Sequence, residues 1–162
     1  TGAMRSAWMI KDYQEIVAVA SGLLAESKLT PELKNEAYYY RAKALLAEGQ
    51  SKEAVNDLSV LSKDTRNVYG AEAKYLLAQL YFDAGQTDKA EKEVLDYIEV
   101  STPHAYWLAR SFVLLSDVYM KLGRNLDAKQ YLLSLQQNYQ ADDDIAGMIE
   151  TRLAKLNKGS KQ

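Results

Sequence analysis

The chain has no cysteine, two prolines, two phenylalanines and one histidine in 162 residues, and each scarcity removes a class of protein. Without thiols there is no disulfide framework and no thiolate metal site, and cytosol and periplasm both stay open as compartments. The lone histidine, His104, has no neighbouring cysteine or carboxylate cluster to complete a metal site. No serine or cysteine nucleophile is paired with it in sequence, so it reads as a capping or surface-packing residue. No run of about 18 apolar residues occurs, so direct membrane insertion is not expected. No signal peptide opens the chain, and the expectation is that any targeting sequence has been removed. Twenty basic against 22 acidic residues give a formal charge of −2, which supplies no pull toward nucleic acid or an anionic membrane. Phosphate-loop, dinucleotide and zinc motifs are missing. Asp142-Asp143-Asp144 lacks the alternating ligands, the glycine and the glutamate of a calcium loop, and reads instead as cap and dipole complement at a helix start. Nothing in the sequence calls for a catalytic residue, a metal or a cofactor.

What is present is a spacing. Gly49, Gly85 and Gly123 are each followed five residues later by Ala54, Ala90 and Ala128, and each alanine four residues later by Leu58, Val94 and Leu132. The periods, 85 − 49 = 36 and 123 − 85 = 38, fall in the range of helical-hairpin arrays. In such an array the core is a line of small interfaces between neighbouring hairpins rather than one sphere. Apolar residues return at helical spacing, among them Leu45, Leu46, Leu58 and Leu61, then Leu76, Leu77, Leu80, Val94 and Ile98. Thr30-Pro31 and Thr102-Pro103 each read as an N-cap followed by a first-turn proline. The glycines end one helix in a left-handed turn, and a short polar residue is expected to cap the next.

The predicted helices are therefore 32–48 and 51–63, 69–84 and 87–100, 103–122 and 125–139. Residues 12–26 match the second helix of a repeat, with Ile16 at the alanine position. Residues 142–157 form a closing helix with a polar outer side carrying Glu150, Arg152 and Lys155. Thr1-Gly2-Ala3-Met4 reads as an expression scar outside the fold, and 158–162 as a disordered tail. Residues 5–157 then form one array, with repeats at about 32–63, 69–100 and 103–139.

These motifs resemble the tetratricopeptide repeat family, whose pattern of Trp-x2-Leu-Gly-x2-Tyr and Ala-x3-Phe appears as Leu77-Ala78-x2-Tyr81 with Ala90-x3-Val94. It appears again as Leu115-Ser116-x2-Tyr119 with Ala128-x3-Leu132, and more loosely as Arg41-Ala42-x2-Leu45 with Ala54-x3-Leu58. The resemblance implies an all-α, right-handed α-α superhelix: three full hairpins, an N-terminal half-repeat and a C-terminal capping helix. The small residues Ala42, Ala78 and Ser116, facing Ala54, Ala90 and Ala128, let paired helices approach to the lower end of the roughly 8–10 Å range.

The resemblance also implies a non-catalytic scaffold that takes a peptide or protein segment in a concave groove formed by the first helices. Mapped on this chain, the groove draws Glu36, Tyr39, Lys43 and Leu46 from the first repeat. The second gives Glu72, Tyr75, Gln79, Phe82 and Asp83, and the third Arg110, Val113, Asp117, Met120 and Lys121. Some relatives clamp a partner's terminal carboxylate with lysine, asparagine and arginine; here those places hold Tyr39, Lys43, Leu76, Arg110 and Leu114, so the clamp is absent. The twelve tyrosines are expected chiefly to fill interhelical space, and Tyr38-Tyr39-Tyr40, spread over about 200° of helix, must divide into core, groove and interface. Tyr106-Trp107 is expected to be buried between hairpins.

The half-repeat exposes Ile16, Ala20 and Leu23 unless residues 5–11, with Trp8 and Ile10, fold back. A homodimer through that patch, or a structural segment of a longer array, is the alternative to a ligand-binding scaffold. Long periods and the phrase Pro103–Arg110 are similar to C-terminal repeats of large envelope-associated proteins of Bacteroidetes-type bacteria and to repeats of the Tol-Pal coordination protein. That similarity implies a periplasmic or outer-membrane-associated setting, with the cytoplasm as the alternative.

Overall fold

Gly49, Gly85 and Gly123 take φ of +77°, +78° and +78°, the left-handed region that glycine enters without a Cβ penalty. At each, the same two bonds close the helix end. The glycine N–H donates to a carbonyl three residues back (Leu46, Phe82 or Met120). The next N–H donates to one five back (Leu45, Tyr81 or Tyr119) at 2.8 Å, as in a Schellman motif. The following helices start without the expected side-chain caps: Gln50, Gln86 and Arg124 make none. Their backbone carbonyls instead accept the N–H of Ala54, Ala90 and Ala128, so the repeated alanine closes the first turn of its own helix.

The computed structural model describes residues 2–100 and 102–160, and within them are nine α-helices and no strand. They are α1 (Gly2–Met9), α2 (Tyr13–Leu24), α3 (Pro31–Ala47), α4 (Ser51–Leu61), α5 (Val68–Asp83), α6 (Thr87–Glu99), α7 (Ala105–Lys121), α8 (Asn125–Asn138) and α9 (Ile145–Ser160). The architecture is an all-α helical repeat. Two compact parts divide it, one up to Leu77 and one from Ala78 onward, with α5 contributing to both.

In the first part, α1 packs on α2 and both pack on α3. Met4, Ala20 and Ala37 form one buried cluster; Ala7, Ile16 and Ala44 form a second, flanked by Trp8, Tyr13 and Tyr40. Two expectations change here. Gly2–Met4, expected to lie outside the fold, belong to the first helix, with Met4 fully buried; Thr1 lies outside the described residues. The entering half-repeat is also covered: α1 folds back so that Ile16 and Ala20 are inaccessible. The apolar patch that would have carried a homodimer is the inside of a hairpin.

The crossing positions behave as their size dictates. Ala42, Ala54, Ala90, Ser116 and Ala128 are fully buried and Ala78 nearly so, with Leu58, Val94 and Leu132 beside them in the core. Ser116 satisfies its hydroxyl by donating to the Val113 carbonyl at 2.6 Å. Where later repeats carry Leu77 and Leu115, the first carries Arg41. That guanidinium donates from Nε and Nη2 to both oxygens of Asp57, at 2.8 and 2.6 Å, joining α3 to α4. Asp57 is buried, so its charge is tolerable only because of this fork. The pairing, with Tyr38 also beneath the guanidinium, raises the Arg41 pKa further.

Helix starts divide into those that follow the sequence and those that do not. Thr30 caps α3 through Oγ1, which accepts the Leu33 N–H at 3.3 Å, with Pro31 in the first turn. Thr102 instead accepts the His104 N–H, which turns the chain once more and delays α7 to Ala105, past the predicted 103. His104 then occupies the N-cap position without a side-chain cap bond. Asp143 Oδ1 accepts the Ile145 N–H at 2.9 Å, so the acidic triplet does start α9. Residues 158–160 continue α9 where a disordered tail was expected; 161–162 lie outside the described residues.

Removing Asp57 alone should strand the Arg41 charge. Asp57→Ala is expected to lose on the order of 3 kcal/mol in urea unfolding, whereas Arg41→Leu combined with Asp57→Leu should stay within about 1 kcal/mol of the parent, as a matched apolar pair does. Equal losses in both would refute the pairing as the cause. A second comparison concerns glycine. A Cβ on Gly70 would lie 1.9 Å from the Asp64 carbonyl oxygen and 2.6 Å from that of Leu61, whereas Gly22 has open space. Gly70→Ala should therefore lower the melting temperature, and Gly22→Ala, in the last turn of α2, should raise stability by about 0.4–1 kcal/mol.

Candidate functional site

Helical spacing on α3 and α5 brings part of the expected groove together in the first part. Tyr39 donates its hydroxyl to Glu72 Oε1 at 2.9 Å, and Lys43 Nζ donates to Glu72 Oε2 at 2.7 Å. The Tyr39 ring packs on Tyr69 with centroids 4.6 Å apart. Glu36 accepts from Arg5 Nε at 3.2 Å. Glu36, Glu72 and Tyr75 are all buried, and the two carboxylates are paired within the first part rather than standing open on a surface. The consecutive tyrosines do split their roles. Tyr40 packs against the α1–α2 clusters, Tyr39 reaches α5, and Tyr38 lies under Arg41.

Burial, then the Glu72 charge and the hydrogen bond to it, push the Tyr39 pKa far above its ordinary value, because ionising it would put two anions together in a dry place.

In the second part the remaining residues separate. Gln79 donates to Asp83 at 2.8 Å along α5, a local exposed pair. Arg110 Nη1 donates to the Tyr106 hydroxyl at 3.0 Å, and Tyr106 donates in turn to Asp144 at the start of α9. Tyr106 is half-buried against the cluster of Ala109, Val113, Leu132, Leu135, Ile145 and Ile149. Tyr139 donates to Asp143, and burial followed by that bond pushes its pKa up to about 12.

Phe82, Asp117, Met120 and Lys121 do come together, in a cleft of about 640 Å³ whose opposite wall is α9, with Arg152, Lys155 and Leu156. Residues 117, 120 and 121 on α7 face 152, 155 and 156 on α9, two stripes at one-turn spacing. A fork joins the two walls: Arg152 Nε and Nη2 donate to the two Asp117 oxygens at 2.8 and 2.9 Å.

Arg152 was expected on the outer polar side of the closing helix. It points inward because Asp117 supplies a partner 35 residues away, which no local pattern announces. Its four-residue spacing from Leu156, an apolar residue on the same helix face, is the signal that could have placed it.

Replacing Glu72 by Gln removes the charge opposing Tyr39 ionisation. The phenolate ultraviolet titration of Glu72→Gln should show one tyrosine ionising at lower pH than in the parent. In the parent, the stability contributed by the raised Tyr39 and Tyr139 values is fully present below the ordinary tyrosine pKa of 10. It is lost as pH rises above that value; for Tyr139 the loss runs from about pH 10 to about 12. A titration unchanged by Glu72→Gln would show that Glu72 does not act on Tyr39.

A family model described as Tetratricopeptide repeat matches residues 71–102 and 109–138. No curated protein and no solved structure matches the chain. The two matched segments hold the Leu77-Ala78-x2-Tyr81 and Leu115-Ser116-x2-Tyr119 motifs and lie over α5–α6 and α7–α8. Arg41, the departure in the looser repeat, falls outside them. The matches therefore show tetratricopeptide repeats within residues 71–138.

Proposed function

We propose that this chain is a non-catalytic interaction module that holds a segment of a protein partner in the cleft between α7 and α9. Repeats of this kind are generally protein-interaction modules and typically non-catalytic. The observation that carries the reading is the contrast between the two halves of the expected groove. Glu36, Tyr39, Lys43, Glu72 and Tyr75 are engaged with internal partners or buried, while Phe82, Met120 and Lys121 line an open cleft. A cleft of about 640 Å³ matches the size of sites that bury a ligand side chain or two.

Phe82 and Met120 act as the apolar contact, since an aromatic ring and a flexible thioether adapt to an incoming side chain. Asp117 and Arg152 fix the distance between the walls. Gln79, Asp83 and Arg110 contribute outside the cleft, at the rim of the bound segment. Among the described residues no helix is long and apolar enough to cross a membrane. The likeness of Pro103–Arg110 to envelope-associated repeats supports a partner in the bacterial cell envelope, with the periplasm as the compartment.

Selection from a library of short random peptides displayed on phage tests the reading. Peptides should be recovered by the parent chain, and Phe82→Ala and Met120→Ala, with unchanged helical circular dichroism, should weaken the recovered peptides by roughly tenfold or more, as loss of a central apolar contact does. Recovery of no peptide, or of peptides indifferent to both substitutions, would overturn it.

A further inference from the structure

The cleft between α7 and α9 carries an imbalance of charge that the whole chain does not. Its lining includes three cations, Lys121, Arg152 and Lys155, against a single carboxylate, Asp117, in a chain whose formal charge is −2. Asp117 is committed: both of its oxygens accept from Arg152. That leaves Lys121 and Lys155, one on each wall. Both are exposed, and among the described residues no carboxylate pairs with either. Between them stand Phe82, Met120 and Leu156, each half-buried and so still offering apolar surface to the cleft. Thr151 spends its hydroxyl proton on the Gly147 carbonyl, so it offers the cleft no free donor of its own.

Resting on the proposed peptide-binding function, we infer that the occupant is an acidic protein segment. Its carboxylates meet Lys121 and Lys155, and an aromatic or branched apolar side chain lies between them on Phe82, Met120 and Leu156. The chemistry selects this class for three reasons. Two unpaired ammonium groups on opposite walls complement carboxylates spaced along one chain, and lysine donors on flexible stems adapt to their exact placement. The apolar floor adds contact that a bare polyanion cannot use. One aromatic ring is too few for the successive base stacking by which single-stranded nucleic acid is held.

The same peptide library, selected in parallel on the parent and on Lys121→Glu/Lys155→Glu, decides the matter. Both side chains are exposed, so the double variant keeps its fold, which circular dichroism checks. Sequences recovered by the parent should be enriched in Asp and Glu beside Phe, Tyr, Leu or Ile. Their affinity should fall by about a hundredfold on the charge-reversed variant, and should weaken steadily with added salt. The variant should in turn recover Lys- and Arg-containing sequences. Recovery of neutral or basic peptides by the parent would overturn the acidic assignment while leaving a peptide-binding module intact; recovery of none would overturn both. Phosphatidylserine vesicles or a single-stranded oligonucleotide bound by the parent in preference to the peptides, and lost on charge reversal, would assign the lysines to another anion and overturn the inference.

Discussion

Everything in this molecule depends on how closely two helices of a pair can approach. Ala42 with Ala54, Ala78 with Ala90 and Ser116 with Ala128 have essentially no exposure; a larger side chain at any of them would wedge the pair apart and withdraw the contact that lets Leu58, Val94 and Leu132 pack. The constraint then propagates around each helix. One residue beyond Ser116, about 100° round the axis, stands Asp117, and one turn later Lys121. With Ser116 held against its neighbour, Asp117 is turned toward α9 and meets Arg152. The cleft is thus set by a small residue that does not line it.

The two compact parts use polar side chains in opposite ways. In the first, Glu72 receives both Tyr39 and Lys43, and Glu36 receives Arg5, so the carboxylates that the sequence offers to a ligand are already answered. Buried carboxylates left unanswered would be costly. In the second part the single acid of the cleft is answered by a helix arriving from the end of the chain, and the lysines are left facing solvent. Similar residue types at corresponding repeat positions therefore end in different states, decided by what the next helix brings.

Local features were legible where a single residue carries the reason. Glycine at 49, 85 and 123 is required by a positive φ, alanine at 54, 90 and 128 by the crossing distance, and Thr30-Pro31 by the first turn it caps; these placed the helices to within a residue or two. Features that depend on a distant partner were not legible. Nothing in Gly2–Met9 by itself says that Met4 will be covered by Ala20 and Ala37, and Arg152 reads as a surface residue until Asp117 is opposite it. Thr102-Pro103 repeats the dipeptide of α3 yet makes a turn of its own before α7, because the Thr102 oxygen takes the His104 N–H two residues on.

Asp57 has one further consequence, for fidelity. An array of similar hairpins can misassemble by pairing a helix with the wrong neighbour, a known hazard of repeats. α4 carries a carboxylate in the core, and only α3 presents an arginine at the matching position; α5 and α7 present Leu77 and Leu115 there. Joined to either of those, α4 would bury an unanswered negative charge. The ion pair thus works as an address, telling one hairpin in a run of look-alikes which helix is its own.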